Sequence, residues 1–302
     1  MLTRYTQNDL TWIDLVAPSP EEVRLVMHEF GFNPTIGQEL LSVSIKSKAE
    51  RYDDSLYLVL HFPMLHGSRM RRVMKEVDIV IGKEYIITAR YEDVAALSNF
   101  AKAFEVESVL APDGRVHGGH LFAVIMRNLY DALLSESDEI HAELLNIEER
   151  LFDGDEKHLV MEISEVGRVI YDFRQGLLPH REVFKSIEAP LTHLFGHEYA
   201  SYLREVSAEY ERVLDEAEGL RDSMIELRQT NNSMLSAKQN EVMKLFSILA
   251  FVFVPASLIM TLYQMGLPGT PFEGHVNFWA VFGSLGALTL IFIVYCERKG
   301  WL

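Results

Sequence analysis

Following steps of three and four residues, Gln229, Ser233, Ser236, Asn240, Met243, Ser247, Ala250, Val254 and Ser257 fall on one helix face. The stripe offers amide and hydroxyl oxygens at both ends and mainly apolar surface in its middle. Such oxygens can accept hydrogen bonds from the water around a cation without gripping the ion itself. Magnesium sheds its water reluctantly and prefers six oxygens in octahedral array. A path that passes it should therefore bind the hydration shell and carry few fixed charges. Between Gln229 and Phe278 the only acids are Glu241 and Glu273. The apolar middle then suits a constriction that gates by dewetting. Taken alone, the stripe reads first as a helix–helix contact in which the serines let two backbones approach, and the ion path is the reading beside it.

Other constellations carry less. His193 and His197 stand four apart beside Glu198, a spacing that can put two imidazoles on one helix face, but Gly196 and Pro190 suggest a loop or helix start. His117-Gly118-Gly119-His120 reads as a hinge between domains. Glu273 and His275 fall in a short loop, where copies of the chain could form a ring; an ordinary solvated loop is the alternative. No nucleotide-binding loop, nucleophile elbow or catalytic carboxylate pair stands out, so neither an enzyme nor a cofactor is expected. No fixed high-affinity metal site is expected either. The lone cysteine, Cys296, excludes an intrachain disulfide framework and fits a reducing compartment.

The elements that position the stripe are unusual in their greasiness. Phe246–Tyr263 and Phe278–Cys296 are apolar stretches with no lysine or arginine between Phe246 and Cys296. Each is about the ~20 residues a helix needs to cross a ~30 Å hydrocarbon layer, where unpaired backbone amides are costly. Lys238 and Lys244 precede the first stretch, and Arg298 and Lys299 follow the second. Basic flanks stay inside, which places both termini in the cytoplasm and the loop outside, in a multi-pass protein of the cell (inner) membrane. The N-terminal MLTRYTQNDL lacks the apolar run of a signal peptide. The formal charge of −16 argues against nucleic acid as a partner, since phosphates would be repelled.

The rest of the chain divides by periodicity. TWIDLV, SLYLVLHFP and VDIVIGKEYIITA are strand-like runs, and PSPEEVRLVMHEFG is a helix that Ser19 can cap with Pro20 at its first position. Beyond Gly118 helical spacing takes over, broken at Asp153-Gly154-Asp155 and again before a helix that starts near His197 and meets no strong breaker until Pro255. Such a helix, about 65 residues and ~100 Å long, implies a stalk that packs against copies of itself. The fold class is α+β membrane protein: a cytoplasmic α/β domain (1–117), a cytoplasmic helical stalk (118–242), the stalk end and first membrane helix (243–263), an outer loop (264–277), a second membrane helix (278–296) and a basic tail (297–302).

In plan and motifs the chain resembles the CorA family of divalent-cation channels, magnesium transporters with zinc-transporting relatives. The resemblance rests on WIDLVAPSPEEV, FGFNP, KAERYDDSLYLVLHFP, VDIVIGKEYIIT (matched to a single strand), the segment Tyr202–Val213, QNEVMKLFSILAFVFVP and the terminal ERKGWL, in that order. It implies a homo-oligomer, a pentamer, of which divalent cations are the cargo and membrane lipid the surroundings. By family position Asn240 and Met243 line the pore, and Phe246 and Val254 form its apolar gate. The chain departs from the family at the mouth. Where magnesium members have Tyr-Gly-Met-Asn, it has Tyr263, Gln264, Met265 and Gly266, so the asparagine amide is missing. Glu205 falls at the family's cytoplasmic sensor acid, with Glu209 nearby, while the turn that supplies its partner reads Arg69-Met70-Arg71-Arg72. Arginines cannot ligate a metal, but Arg71 and Arg72 can pair with Glu205 or Glu209. A non-conducting membrane scaffold that keeps the fold is the alternative function.

Overall fold

The computed structural model describes residues 1–7, 10–52, 54–65, 72–106, 117–153, 156–265 and 277–299. It divides into two units, Met1–Arg228 and Gln229–Leu302.

The first unit begins with six strands: β1 (Leu2–Gln7), β2 (Leu10–Val16), β3 (Lys48–Arg51), β4 (Leu56–Leu65), β5 (Arg72–Ile81) and β6 (Tyr85–Arg90). They form one sheet in the order β1-β2-β6-β5-β4-β3. Only β2 and β6 pair in parallel, with Trp12 opposite Ile86 and Ile13 opposite Ile87. The run VDIVIGKEYIIT is therefore two strands of a hairpin rather than one, because Gly82 turns the chain and its N–H donates to the Tyr85 carbonyl at 2.9 Å. Both edge strands, β1 and β3, carry too little apolar periodicity to be read as strands alone, and the sheet recruits them by pairing.

Both sheet faces are covered, which is why the central strands are apolar almost without alternation. On one face Ile13, Leu15, Tyr57, Val59, Val80 and Ile87 pack with Val23, Val26 and Ile36 of helices α1 (Pro20–Phe30) and α2 (Pro34–Glu39). Ser19 caps α1 in a reciprocal capping box with Glu22, Pro20 stands at its start, and Gly31 closes it at φ 66°. On the other face Trp12 meets Phe100 and Phe104 of α3 (Ala95–Val106), and Phe62 meets Tyr130 and His180 of the long helices. The buried Arg90–Asp14 ion pair (2.8 Å) lies on this side, with Thr88 Oγ1 donating to Asp14 at 2.8 Å and Trp12 Nε1 donating to Thr88 at 3.0 Å.

Three helices follow: α4 (Gly118–Phe152), α5 (Glu156–Phe195) and α6 (Tyr199–Met265). Their buried positions step by three and four: Leu133, Ser137, Ile140, Leu144 and Ile147 on α4; Leu159, Ile163, Val166, Ile170 and Phe173 on α5. On α6 the row is Leu203, Val206, Tyr210, Val213, Ala217, Leu220, Met224 and Leu227. A sustained spacing of 3.5 is the seam of coiled-coil packing. The Tyr199–Arg228 part of α6 thus buries its stripe against α4 and α5 of the same chain. Within the chain, the heptads of α4 and α5 cover this part of the long helix. In the second unit α6 continues from Gln229, and α7 (Asn277–Arg298) is a 22-residue helix.

Candidate ion pathway

Along the second unit's part of α6 most side chains are exposed, but not uniformly. Asn231 and Ile248 are buried, and Thr230, Met234, Leu235, Val252, Ala256, Ile259 and Met260 are half-buried. From Ile248 onward these positions mark one covered face. On α7 the half-buried positions are Leu285, Thr289 and Phe292, and Phe292 stacks on Phe251 of α6 with centroids 4.8 Å apart. Gln229, Ser233, Ser236, Asn240, Met243, Ser247, Ala250, Val254 and Ser257 are all exposed. Ala250 and Val254 stand two residues from Ile248 and Val252, about 200° around a helix of 3.6 residues per turn. The stripe therefore runs on the side away from the covered face.

The stripe's hydroxyls have a fixed polarity. Ser233 Oγ donates to the Gln229 carbonyl at 2.9 Å, Ser247 Oγ to Met243 at 2.8 Å and Ser257 Oγ to Val254 at 2.9 Å. Each of these three hydroxyls spends its proton on its own helix. What remains facing outward is acceptor lone pairs, the complement of the donor protons on cation-bound water. Pro255 has no N–H, so the Phe251 carbonyl lacks its helical donor one turn below. Between the polar ends lie Met243 (57% exposed), Ala250 and Val254 (63% exposed), with Phe246 (61% exposed) beside them.

Only 6% of the most apolar window of α6 is buried, so this is not the core helix of a soluble domain. Leaving such a surface in water costs about 25 cal/mol per Å² of apolar area. Its length and composition are those of a helix that crosses a membrane.

Tyr263, Gln264 and Met265, expected from the sequence at a pore mouth, are the last residues of α6, with Gln264 and Met265 exposed. Gly266 and Glu273 lie outside the described residues, as does Arg71. Arg72 opens β5. Glu205 is engaged within its own chain: Arg127 of α4 donates to it at 2.8 Å. Glu209 lies 3.7 Å from Arg212, one turn along α6. Arg127 was not singled out as a partner in the sequence, since nothing local reveals which turn of α4 lies opposite Glu205. Likewise His193 stands in the last turn of α5 while His197 lies beyond the Gly196 break (φ 91°), so the two imidazoles do not share a helix. His117 is the N-cap of α4, its Nδ1 accepting from the Gly119 N–H at 3.1 Å, and it stacks on Phe195. Among the described residues no cluster of three metal-ligating side chains occurs.

The family model of the CorA-like Mg2+ transporter protein matches residues 7–298. The chain belongs to that family. CorA-family proteins are transporters, not enzymes, and divalent metal ions are what they move. The cobalt/magnesium transport protein CorA of Thermotoga maritima is 23% identical over 298 residues, 97% of this chain and 83% of that one. The putative metal ion transporter YfjQ of Bacillus subtilis is also 23% identical, covering 99% of this chain and 93% of its own. Among solved structures, the complete CorA magnesium transporter of Methanocaldococcus jannaschii superposes with TM-score 0.82 at 17% identity, covering 99% of this chain and 93% of that one. The ZntB cytoplasmic domain of Vibrio parahaemolyticus gives TM-score 0.62 at 12% identity over 76% of this chain and 90% of that one. The likeness extends through both units, so the CorA fold houses the stripe.

Proposed function

We propose that the chain forms a homopentameric channel that conducts a divalent cation down its electrochemical gradient. Each chain gives α6 to the central path and α7 to the lipid-facing ring, with both termini cytoplasmic and the 264–277 loop outside. The observation that carries this is the exposed stripe opposite the covered face of α6, polar at its ends and apolar at Met243, Ala250 and Val254. The cation travels hydrated. Asn240 and the stripe's serines accept hydrogen bonds from its water, and Met243, Phe246 and Val254 close the path when it dewets. The Gln264-Met265-Gly266 mouth offers one fewer fixed amide oxygen per subunit than the Gly-Met-Asn of magnesium members, so discrimination among hydrated divalent ions is weaker. Glu273 copies ring the entrance.

Closure at the cytoplasmic contact relies on arginine rather than on metal. Glu205 is already held by Arg127, and Arg71 and Arg72 of an adjacent subunit approach Glu205 or Glu209. Such exposed pairs weaken with salt.

The deciding assay is flux into proteoliposomes, run with magnesium, zinc, cobalt and nickel, beside mass measurement of the detergent-solubilised protein. We expect a pentamer and flux for more than one of these ions. No flux for any would leave a non-conducting scaffold, and flux by a monomer or dimer would overturn the assembly. Gln264→Gly with Gly266→Asn should sharpen the preference for magnesium.

A further inference from the structure

Two acids of β5 are buried two residues apart, on the α1/α2 side of the sheet. Glu76 is 5% exposed and Asp78 0%. Alternation along a strand puts both on the face that holds Tyr57, Val59 and Val80. A carboxylate buried without compensation is expensive, and two such groups side by side are worse.

The surroundings compensate for one charge only. Glu76 accepts from the Ser44 N–H at 2.9 Å on both oxygens, and His61 Nε2 lies 3.2 Å from its Oε2. His61 Nε2 lies 2.9 Å from the Ser44 carbonyl, which can only accept, and the Ser47 hydroxyl, 3.0 Å from Nδ1, is able to accept a second ring proton. That setting favours the imidazolium, and the Glu76 hydrogen bond raises its pKa above the usual histidine value. Asp78 Oδ2 accepts from the Tyr57 hydroxyl at 3.0 Å and from the Tyr91 hydroxyl at 3.1 Å. Its Oδ1 is buried and has no partner among the described residues. A bare carboxylate oxygen there has no rationale; a carboxylic acid O–H directed at Glu76 has one.

The other charged groups around the pair are already committed. Glu39 of α2 is paired with Lys48 of β3 at 2.5 Å, and Lys48 also meets Glu50 at 2.8 Å. Lys46 is exposed, and on the far side of β4 the neutral His180 of α5 faces the His61 carbonyl. One imidazolium thus balances one carboxylate, and the second carboxyl must keep its proton.

The same groups fasten the stretch between α2 and β3. Glu76 holds the Ser44 amide, His61 spans Ser44 and Ser47, and the Tyr91 hydroxyl, whose one proton is shared with Asp78, lies 3.1 Å from the Ser42 carbonyl. Leu40 anchors its start in the core, but beyond it little else holds the stretch, for Leu41, Val43 and Ile45 are exposed, Ile45 at 95%. We propose that Glu76 and Asp78 share one proton at neutral pH, and that this proton clamps segment 41–47 to the sheet and releases it as pH turns alkaline. Losing the proton places two like charges side by side in the sheet's core, and the segment is the nearest part that can move to admit water.

The sign follows from linkage. Burial, then the Glu76 charge, pushes Asp78 up to about 8 from an ordinary 3.8. The folded state therefore holds a proton that the unfolded chain has released, and the site's contribution falls as pH rises through that value.

The test uses the full chain in detergent. Infrared difference spectra between neutral pH and about pH 9 should show loss of a protonated-carboxyl band, and Asp78→Asn should abolish it. Amide exchange of residues 41–47, corrected for intrinsic base catalysis, should accelerate about tenfold or more over the same range, and stay flat in Asp78→Asn. Glu76→Gln removes the neighbouring charge and should lower the midpoint by about two pH units. Absence of the band at neutral pH, acceleration that persists in Asp78→Asn, or an unmoved midpoint in Glu76→Gln would each overturn the proposal.

Discussion

His180 of α5 donates its Nε2 proton to the backbone carbonyl of His61 on β4, 3.0 Å away, and so ties a long helix to the sheet. A carbonyl can only accept, which fixes the tautomer and leaves Nδ1 to accept from the Tyr130 hydroxyl at 2.8 Å. Phe62, Tyr130 and Tyr210 surround the ring. Replacing it with leucine keeps the volume but strands a buried hydroxyl and a carbonyl. We expect His180→Leu to destabilise the first unit by about 3 kcal/mol, and His180→Gln, which can keep one bond, by about half of that. Thermal unfolding of the detergent-solubilised protein measures both.

Acid weakens the same junction. Burial drives His180 down to about 3, and burial with the His120 neighbour drives His117 down to about 4, both from an ordinary 6.5. The folded state binds fewer protons than the unfolded chain in this window. Stability from these groups is complete above pH 6.5 and is lost as pH falls towards those lower values. For the fully buried His180 the slope approaches ~1.4 kcal/mol per pH unit. His117→Asn keeps an N-cap acceptor while removing a titrating group. The variant should match the unmodified protein near neutrality and lose less stability on acidification; parallel pH curves would refute the assignment.

A glycine contact makes the third prediction. The α4 start docks on the β5–β6 hairpin: the Gly118 N–H donates to the Lys83 carbonyl at 2.9 Å. A Cβ at Gly118 would lie 2.2 Å from the Gly82 carbonyl oxygen, which is backbone and cannot swing aside. At Gly167 the obstruction is the flexible tip of Met224. Gly118→Ala should therefore cost about 3 kcal/mol, while Gly167→Ala costs well under half as much. Similar losses at the two sites would mean the hairpin yields more readily than its geometry implies.

How far the chain could be read without coordinates varies by element. Local signals were strong where one residue does one job: Ser19 and Pro20 at the head of α1, Asp153-Gly154-Asp155 between α4 and α5, and Gly196 before α6. The central strands were legible because burial on both faces makes them apolar throughout. β1 and β3 were not, since LTRYTQ and KAER owe their conformation to the neighbours they pair with. The stripe from Gln229 to Ser257 was legible as a period, but its placement opposite the covered face of α6 was not, because that needs Ile248, Val252 and Met260 seen together. Pairings across elements, Arg127 with Glu205 and His61 with Glu76, leave no trace in local spacing.

That placement gives the last prediction. With Cys296 replaced by alanine the chain has no thiol, so single cysteines report cleanly on each face. At Asn240, Ser247, Ala250 and Ser257 the stripe should react with a small cationic thiol reagent from the aqueous phase. Modification there should block flux, because a fixed charge and added bulk enter a path built for a hydrated ion. Cysteines at Ile248, Val252 and Ala256 lie on the covered face and should react slowly, leaving flux intact. Val254 separates gate from wall. As cysteine it should be modified only when the path is open, since the reagent must cross an apolar constriction that water deserts on closure. Val254→Ser, which wets that constriction, should raise flux at a given gradient severalfold. Equal reactivity on both faces, or block from the Ile248 side, would place the path elsewhere and return the stripe to the role of a helix–helix contact.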